Sequence, residues 1–179
     1  MSDFDLSNPD KVPLGGKLTP QQFIDMAKAH RAADQLASGH FERRDGQACS
    51  VGCFNYDLGQ TPGDFEALSE STGYPEWAHR FQEAVFEGLP DGDRQDWHVQ
   101  FAERAAAVSD WGAFYHRLMI AILKVAIPYD TSGCVKRVIS LHKRAPDVSR
   151  EEWAAARAAA GAAARRAFRD AFLEPEVGK

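Results

Sequence analysis

The chain has 179 residues, 44% of them apolar and 26% charged, with a formal net charge of −5. That length suits one domain, and a domain of this size buries roughly 70% of its extended-chain surface, so it needs no disulfide or metal staple. The net charge argues against a protein whose whole surface grips nucleic acid or anionic lipid.

The charge is unevenly spread. Residues 1–135 hold 11 Lys and Arg against 20 Asp and Glu, whereas residues 136–179 hold 10 against 6. An acidic body therefore carries a basic C-terminal segment. Solvated helix faces explain this most simply, and a contact surface for an acidic partner is the functional alternative. No apolar run approaches the ~18 residues of a membrane span, because the longest, Leu118–Ile127, is broken by Lys124. Met1–Pro13 is polar and acidic and has no apolar core of a secretory signal. With three cysteines, an odd number, the expectation is a cytoplasmic protein with reduced thiols and no membrane contact.

In chain order, residues 1–18 carry Pro9, Pro13, Gly15 and Gly16 and show no period, which predicts an extended arm. Thr19-Pro20-Gln21-Gln22 is a capping box with proline at the first helical position. It predicts a helix to about Ala37, with Phe23, Met26, Ala27, Ala33 and Leu36 on its apolar face. Arg43–Gly46 reads as a turn. Gln47–Tyr56 lacks alternation, so a short helix fits better than a strand. Thr61–Asp64 opens the next helix, with Phe65 and Leu68 inward and Gly73 as its stop. Pro75 starts a helix with Trp77, Phe81, Val85 and Phe86 inward, and Asp91 or Asp93 caps one that buries Trp97, Phe101 and Ala105. The most hydrophobic helix, about Trp111–Ala126, places Phe114, Leu118, Ile122 and Val125 at helical spacing. Cys134–Arg144 follows, and Ser149-Arg150-Glu151-Glu152 is a second capping box.

That box opens the last helix, which is rich in alanine. Alanine has the highest helix propensity but gains little by burial, so Trp153, Phe168 and Phe172 are its predicted anchors. The predicted fold is all-α: a single compact helical domain of about seven helices over 19–173, its Ala-rich helix at 149–173, with the arm at 1–18 and a tail at 174–179.

Cys49-Ser50-Val51-Gly52-Cys53 is the sharpest local pattern. An i,i+4 pair on a helix holds its Cβ atoms about 5–6 Å apart, wider than the 3.5–4.5 Å or so that a disulfide needs. Two thiolates on one tetrahedral zinc tolerate that gap, so Cys49 and Cys53 are the candidate metal ligands and zinc the candidate ion. A structural site needs about four ligands. Cys134 is the remaining cysteine, and His40, His79, His98, His116 and His142 are scattered with no second paired motif. Burial as two small hydrophobes is the plainer reading, and thiol redox chemistry a third. His116 and His142 lie beside apolar stripes and read as core histidines. Asp91, Asp93 and Asp96 crowd a helix start, where they complement the dipole.

Other patterns fail on inspection. His40-Phe41-Glu42 lacks the Pro-Cys-x-x-Cys of zinc deaminases. Ala48–Gly52 has the look of a nucleophile elbow, but the charged Phe41–Gln47 is a poor feeding strand. Gly15-Gly16-Lys17 is followed by Leu18, so it is no phosphate loop. There is no catalytic carboxylate pair of distinctive spacing and no His-Glu-x-x-His, which leans the reading away from an enzyme.

Cys49–Cys53, Gly73-Tyr74-Pro75-Glu76-Trp77 and Phe86-Glu87-Gly88-Leu89-Pro90 together resemble an uncharacterised group of bacterial and phage-associated proteins. These share Cys-x-Val-Gly-Cys, Gly-x-Pro and Phe-Glu-Gly-Leu-Pro segments and an alanine-rich tail. The resemblance implies no activity. Its members often place a histidine soon after the second cysteine, where this chain has Phe54, Asn55, Tyr56 and Asp57. The functional expectation is a non-catalytic helical interaction or regulatory module with a protein partner or self-association. A metal or thiol site on Cys49 and Cys53 is the alternative, and nucleic-acid contact through the basic C-terminal segment stands behind it as unlikely.

Overall fold

The computed structural model describes the backbone of residues 16–173 and the side chains of residues 16–160 and 162. Of the arm expected at 1–18, residues 1–15 lie outside the described residues, as do the tail at 174–179 and the side chains of the expected anchors Phe168 and Phe172. The protein is all-α: α1 (Pro20–Ala32), α2 (Ser50–Asp57), α3 (Phe65–Thr72), α4 (Glu76–Gly88), α5 (Asp91–Ala106), α6 (Trp111–Ala126), α7 (Cys134–Arg144) and α8 (Arg150–Leu173), with a 3₁₀ turn at Ile127–Tyr129. Among the described residues there is no strand, and two isolated bridges are the only β pairing. No described helix is long and apolar enough to cross a membrane.

The helices form two compact units, Met1–Trp111 and Gly112–Lys179. In the first, α1 packs along α5, α3 along α4, and α2 touches α1, α3 and α4. Six consecutive residues of α2, Ser50–Asn55, are buried. A helix covered on every side has no polar face, which is why its sequence shows no period. Phe54 at its centre stacks between Phe23 of α1 and His98 of α5, with ring centroids at 4.3 and 4.7 Å.

Several capping signals are realised. Thr19 and Gln22 form the reciprocal box, and Ser149 and Glu152 do the same through bonds of 3.0 and 3.1 Å. Asp64 caps α3 by accepting from the Ala67 amide. At α5, by contrast, Pro90 occupies the cap position without a side-chain bond, and Asp91 and Asp93 sit inside the first turn.

The first helix is shorter than its pattern suggests, ending at Ala32 instead of about Ala37. The chain leaves the helix through a left-handed Asp34 because residues 35–37 find other partners. Ala48 N–H donates to Gln35 O, and Ala37 N–H donates to Ala48 O. The return is a tight turn in which Asp45 and Gly46 both have positive φ, the conformation Asp-Gly favours. This pairing holds Gln47–Cys49 extended, so α2 begins at Ser50 and not at Gln47.

In the second unit α7 packs on α8. Arg144 is ion-paired with Glu152 at 2.7 Å, and Trp153 packs its ring on His142, with centroids 4.8 Å apart. The α6 stripe of residues at helical spacing is in good part exposed: Ile122 is 44% and Val125 75% accessible, and Tyr129 just beyond is 83% accessible.

Gly52 shows how tightly α2 is held. A Cβ there would collide with the Phe41 backbone carbonyl, an obstacle without a flexible end to swing aside. Gly52→Ala is therefore expected to destabilise the protein by about 1–3 kcal/mol through overpacking, despite the ~1 kcal/mol that alanine gains in a helix interior. Urea denaturation of both proteins checks this, and an equal or higher midpoint for the variant would contradict it.

Candidate functional site

The first unit is organised around two polar constellations that meet at the start of α2. The Gln35–Ala48 pairing delivers Cys49 in an extended conformation as the N-cap of α2, where its sulfur accepts from the Gly52 amide at 3.4 Å. Both cysteines of the predicted pair are buried free thiols and share one apolar cluster with Leu36, Ala48 and Phe86. Their sulfurs have different partners. Cys53 donates to the carbonyls of Gln35 and Ala48 at 3.3 and 3.5 Å, and burial pushes its thiol up to about 11. Cys49 instead shares its surroundings with two carboxylates of α4, Glu83 and Glu87. One donor atom from each of the three residues lies within 4.8 Å of the others, and Cys53 is not part of that group. Burial, and then the charge of Glu83, raise the Cys49 thiol far above the usual range, so it is protonated and unreactive at neutral pH.

Glu83 is held by the Val51 amide, which donates to its Oε2 at 2.9 Å. Its Oε1 is buried and has no hydrogen-bond partner. Burial raises this carboxyl to about 7, with Glu87 pushing in the same direction. Glu87 lies one turn further along α4 at the surface, and both its oxygens accept from the Gly39 amide at 3.0 and 2.9 Å.

The second constellation begins one residue on, at Ser50. Its hydroxyl lies 2.8 Å from His98 Nδ1. His98 Nε2 lies 3.1 Å from His30 Nδ1, and His30 Nε2 lies 3.0 Å from the Asp57 carboxylate. In the other direction Gln82 Nε2 donates to Ser50 Oγ at 2.5 Å. Gln82 Oε1 faces His79 Nδ1 at 3.5 Å, and His79 Nε2 meets the Thr72 hydroxyl at 2.9 Å. Seven side chains from α1 to α5 thus form one chain of hydrogen bonds, buried except at its exposed end, Asp57.

The chain has one self-consistent direction. Asp57 accepts only, so His30 donates to it from Nε2 and accepts at Nδ1. His98 then donates from Nε2 and accepts from Ser50. Ser50 accepts from Gln82, and Gln82 accepts from His79. Every imidazole in this scheme is neutral. Burial acts the same way: it lowers His30 and His98 and brings His79 to about 4.

Ser50, His98, His30 and Asp57 stand in the order of an extended serine–histidine–acid relay. The groups that would complete a nucleophilic site are otherwise engaged. The two amides best placed to stabilise an oxyanion beside Ser50, those of Val51 and Gly52, already donate to Glu83 and to Cys49, and Ser50 is fully buried. The nucleophile-elbow resemblance therefore fails on geometry as well as on pattern.

Of the histidines scattered in sequence, His79 and His98 join this chain, and His116 and His142 pair in the second unit, with Nδ1 atoms 2.9 Å apart. His30 carried no sequence prediction. The signal was its place on the α1 stripe, since Phe23, Ala27 and His30 fall at helical spacing and are its buried residues. Glu83 and Glu87 were likewise hidden on a helix whose acidic residues look solvated. No family model, curated protein or solved structure matches this chain.

The buried titratable groups set a pH dependence of opposing signs. His79, about 4 when folded against an ordinary 6.5, and the similarly lowered His98 and His30 bind protons more readily unfolded. Between their folded values and 6.5 each removes up to about 1.4 kcal/mol per pH unit as pH falls. Glu83, about 7 when folded against 4.5, binds its proton more readily folded, so it adds stability as pH falls through 7. His142, lowered to about 4 as well, acts in the same direction as the other histidines. Stability is therefore expected to drop by on the order of 3–5 kcal/mol from pH 7 to pH 5, and Glu83→Gln, which removes the opposing group, should steepen that drop by about 2 kcal/mol. Denaturant titrations at both pH values measure this, and an unchanged slope in the variant would refute the assignment of Glu83.

Proposed function

We propose that the protein is a non-catalytic helical interaction module, and that the apolar stripe of α6 carries its contact with a second copy of the chain. One observation carries this reading. The most hydrophobic helix leaves Ile122 and Val125, one turn apart, at the surface, and Tyr129 extends the same line. Contiguous exposed apolar surface of this kind marks a contact site. Leu118, at the same spacing, is half-buried and lengthens the stripe to about three turns, or ~16 Å of helix.

Charge favours a second copy as occupant. Met1–Trp111 carries 9 basic and 19 acidic residues, and Gly112–Lys179 carries 12 and 7. The basic unit of one copy therefore complements the acidic unit of another, and opposite fields raise the rate and selectivity of encounter. Within this reading the Ser50–His98–His30–Asp57 relay is an internal brace, since its oxyanion donors and its serine are committed to neighbours.

Light scattering coupled to size exclusion, at low and moderate salt, tests the proposal. The protein is expected to elute as a dimer or larger species that weakens with salt. Val125→Glu and Ile122→Glu should shift it to monomer while the melting temperature of the fold moves by no more than about 2–3 °C, as befits exposed positions. A wild-type protein that stays monomeric at every concentration would sink the idea.

A further inference from the structure

We propose that Cys49, Glu83 and Glu87 form a binding site for one divalent ion of borderline softness, of the zinc class. The argument begins with what this cluster lacks. Glu83 and Glu87 are four residues apart on α4, so they share a face one turn apart, where like charges repel. Both turn toward the Cys49 thiol. Neither carboxylate has an ion-pair partner among the described residues, whereas Glu76, Asp91 and Glu152 each pair with an arginine.

Glu83 supplies the independent sign of a missing ligand. The residue is 94% buried, at 6% accessibility, yet its Oε1 makes no well-formed hydrogen bond and has only the Cys49 thiol and the Glu87 carboxyl as side-chain neighbours in the cluster. Orphaned buried polar atoms are uncommon in native proteins, and an unfilled ion position is one established reason for them.

The donor set selects the ion. A sulfur with two carboxylate oxygens suits zinc and its neighbours, whereas magnesium and calcium take oxygen alone. In a tetrahedral zinc site, sulfur at about 2.3 Å and oxygens at about 2.1 Å from the metal lie roughly 3.5 Å from one another. The present spread of up to 4.8 Å closes to that with small side-chain rotations. Glu87 is exposed, so its side admits the ion and leaves the fourth position to water. On binding, a sulfur–metal bond replaces the Cys49 S–H bond, an oxygen–metal bond replaces the O–H bond of any protonated Glu83, and the released protons leave to solvent. Cys53, committed to two backbone carbonyls, stays out of the site.

The test uses the full chain, stripped with a chelator under reducing conditions and then titrated with zinc chloride or cobalt chloride. One ion per chain is expected, with a rise in melting temperature of about 5 °C or more at a hundredfold excess over Kd. Cobalt should give a near-ultraviolet thiolate charge-transfer band. That band should vanish in Cys49→Ser and persist in Cys53→Ser. Glu87→Gln, at an exposed position, should weaken zinc at least tenfold while leaving the metal-free melting temperature within about 2 °C, so it decides the matter even where Cys49→Ser does not fold. No bound ion at millimolar zinc, a cobalt band that survives Cys49→Ser, or a Glu87→Gln protein that binds as tightly as the parent would each overturn the proposal.

Discussion

The structure of the first unit depends on the hydrogen-bonded chain that runs from Asp57 through His30, His98, Ser50 and Gln82 to His79 and Thr72. It links five helices through groups that cannot be buried singly. A polar group buried without a partner costs about 1–3 kcal/mol, so each member fixes the rotamer and tautomer of the next. An apolar core of the same volume tolerates several packings, whereas a polar chain with one self-consistent direction tolerates one. The position of α2 follows from this. Ser50 is anchored to α4 and α5 at once, Gly52 allows the Phe41 carbonyl to approach, and Asn55 holds the following loop by donating to Gln60 and the Asp64 carbonyl while accepting from Gly63.

Much of the fold is legible in the amino-acid sequence because helix ends are local. Thr19, Asp64, Gly73 and Ser149 act within a few residues of themselves, and each appears where its chemistry places it. The errors arise where distant residues decide. The end of α1 is set by Ala48, which lies more than a helix away and draws Gln35 and Ala37 out of register. The start of α2 is delayed by the same pairing. The α6 stripe illustrates a different point: helical spacing identifies an apolar face but not what covers it.

The candidate site was legible only in part, and the reason is again distance. Cys49 and Cys53 are close in sequence and so drew attention as a pair, yet their sulfurs have unlike partners. The carboxylates beside Cys49 come from α4, 34 and 38 positions further along the chain, at i,i+4 spacing that on any surface helix signifies nothing. The histidines are the reverse case. Each is isolated in sequence, and only the packing of α1, α4 and α5 around α2 brings His30, His79 and His98 into one line.

The two constellations at the start of α2 solve the burial of ionisable groups in opposite ways, and the contrast separates bracing from binding. Along the histidine chain each imidazole can be neutral with its hydrogen bonds assigned in one direction, so the chain needs no outside ligand. The three side chains of the Cys49 cluster are all acidic, and no basic side chain is ion-paired with either carboxylate among the described residues. Burial raises both the thiol and Glu83 above their ordinary values and so favours their protonated forms. A cation would displace the thiol proton, and any proton on Glu83, and cross-link the Gln35–Ala48 pairing to α4. Since Glu83 also holds the Val51 amide, one end of that cross-link would bear directly on the first turn of α2 and through Ser50 on the histidine chain, so occupancy at the acidic cluster and rigidity of the polar core are physically coupled.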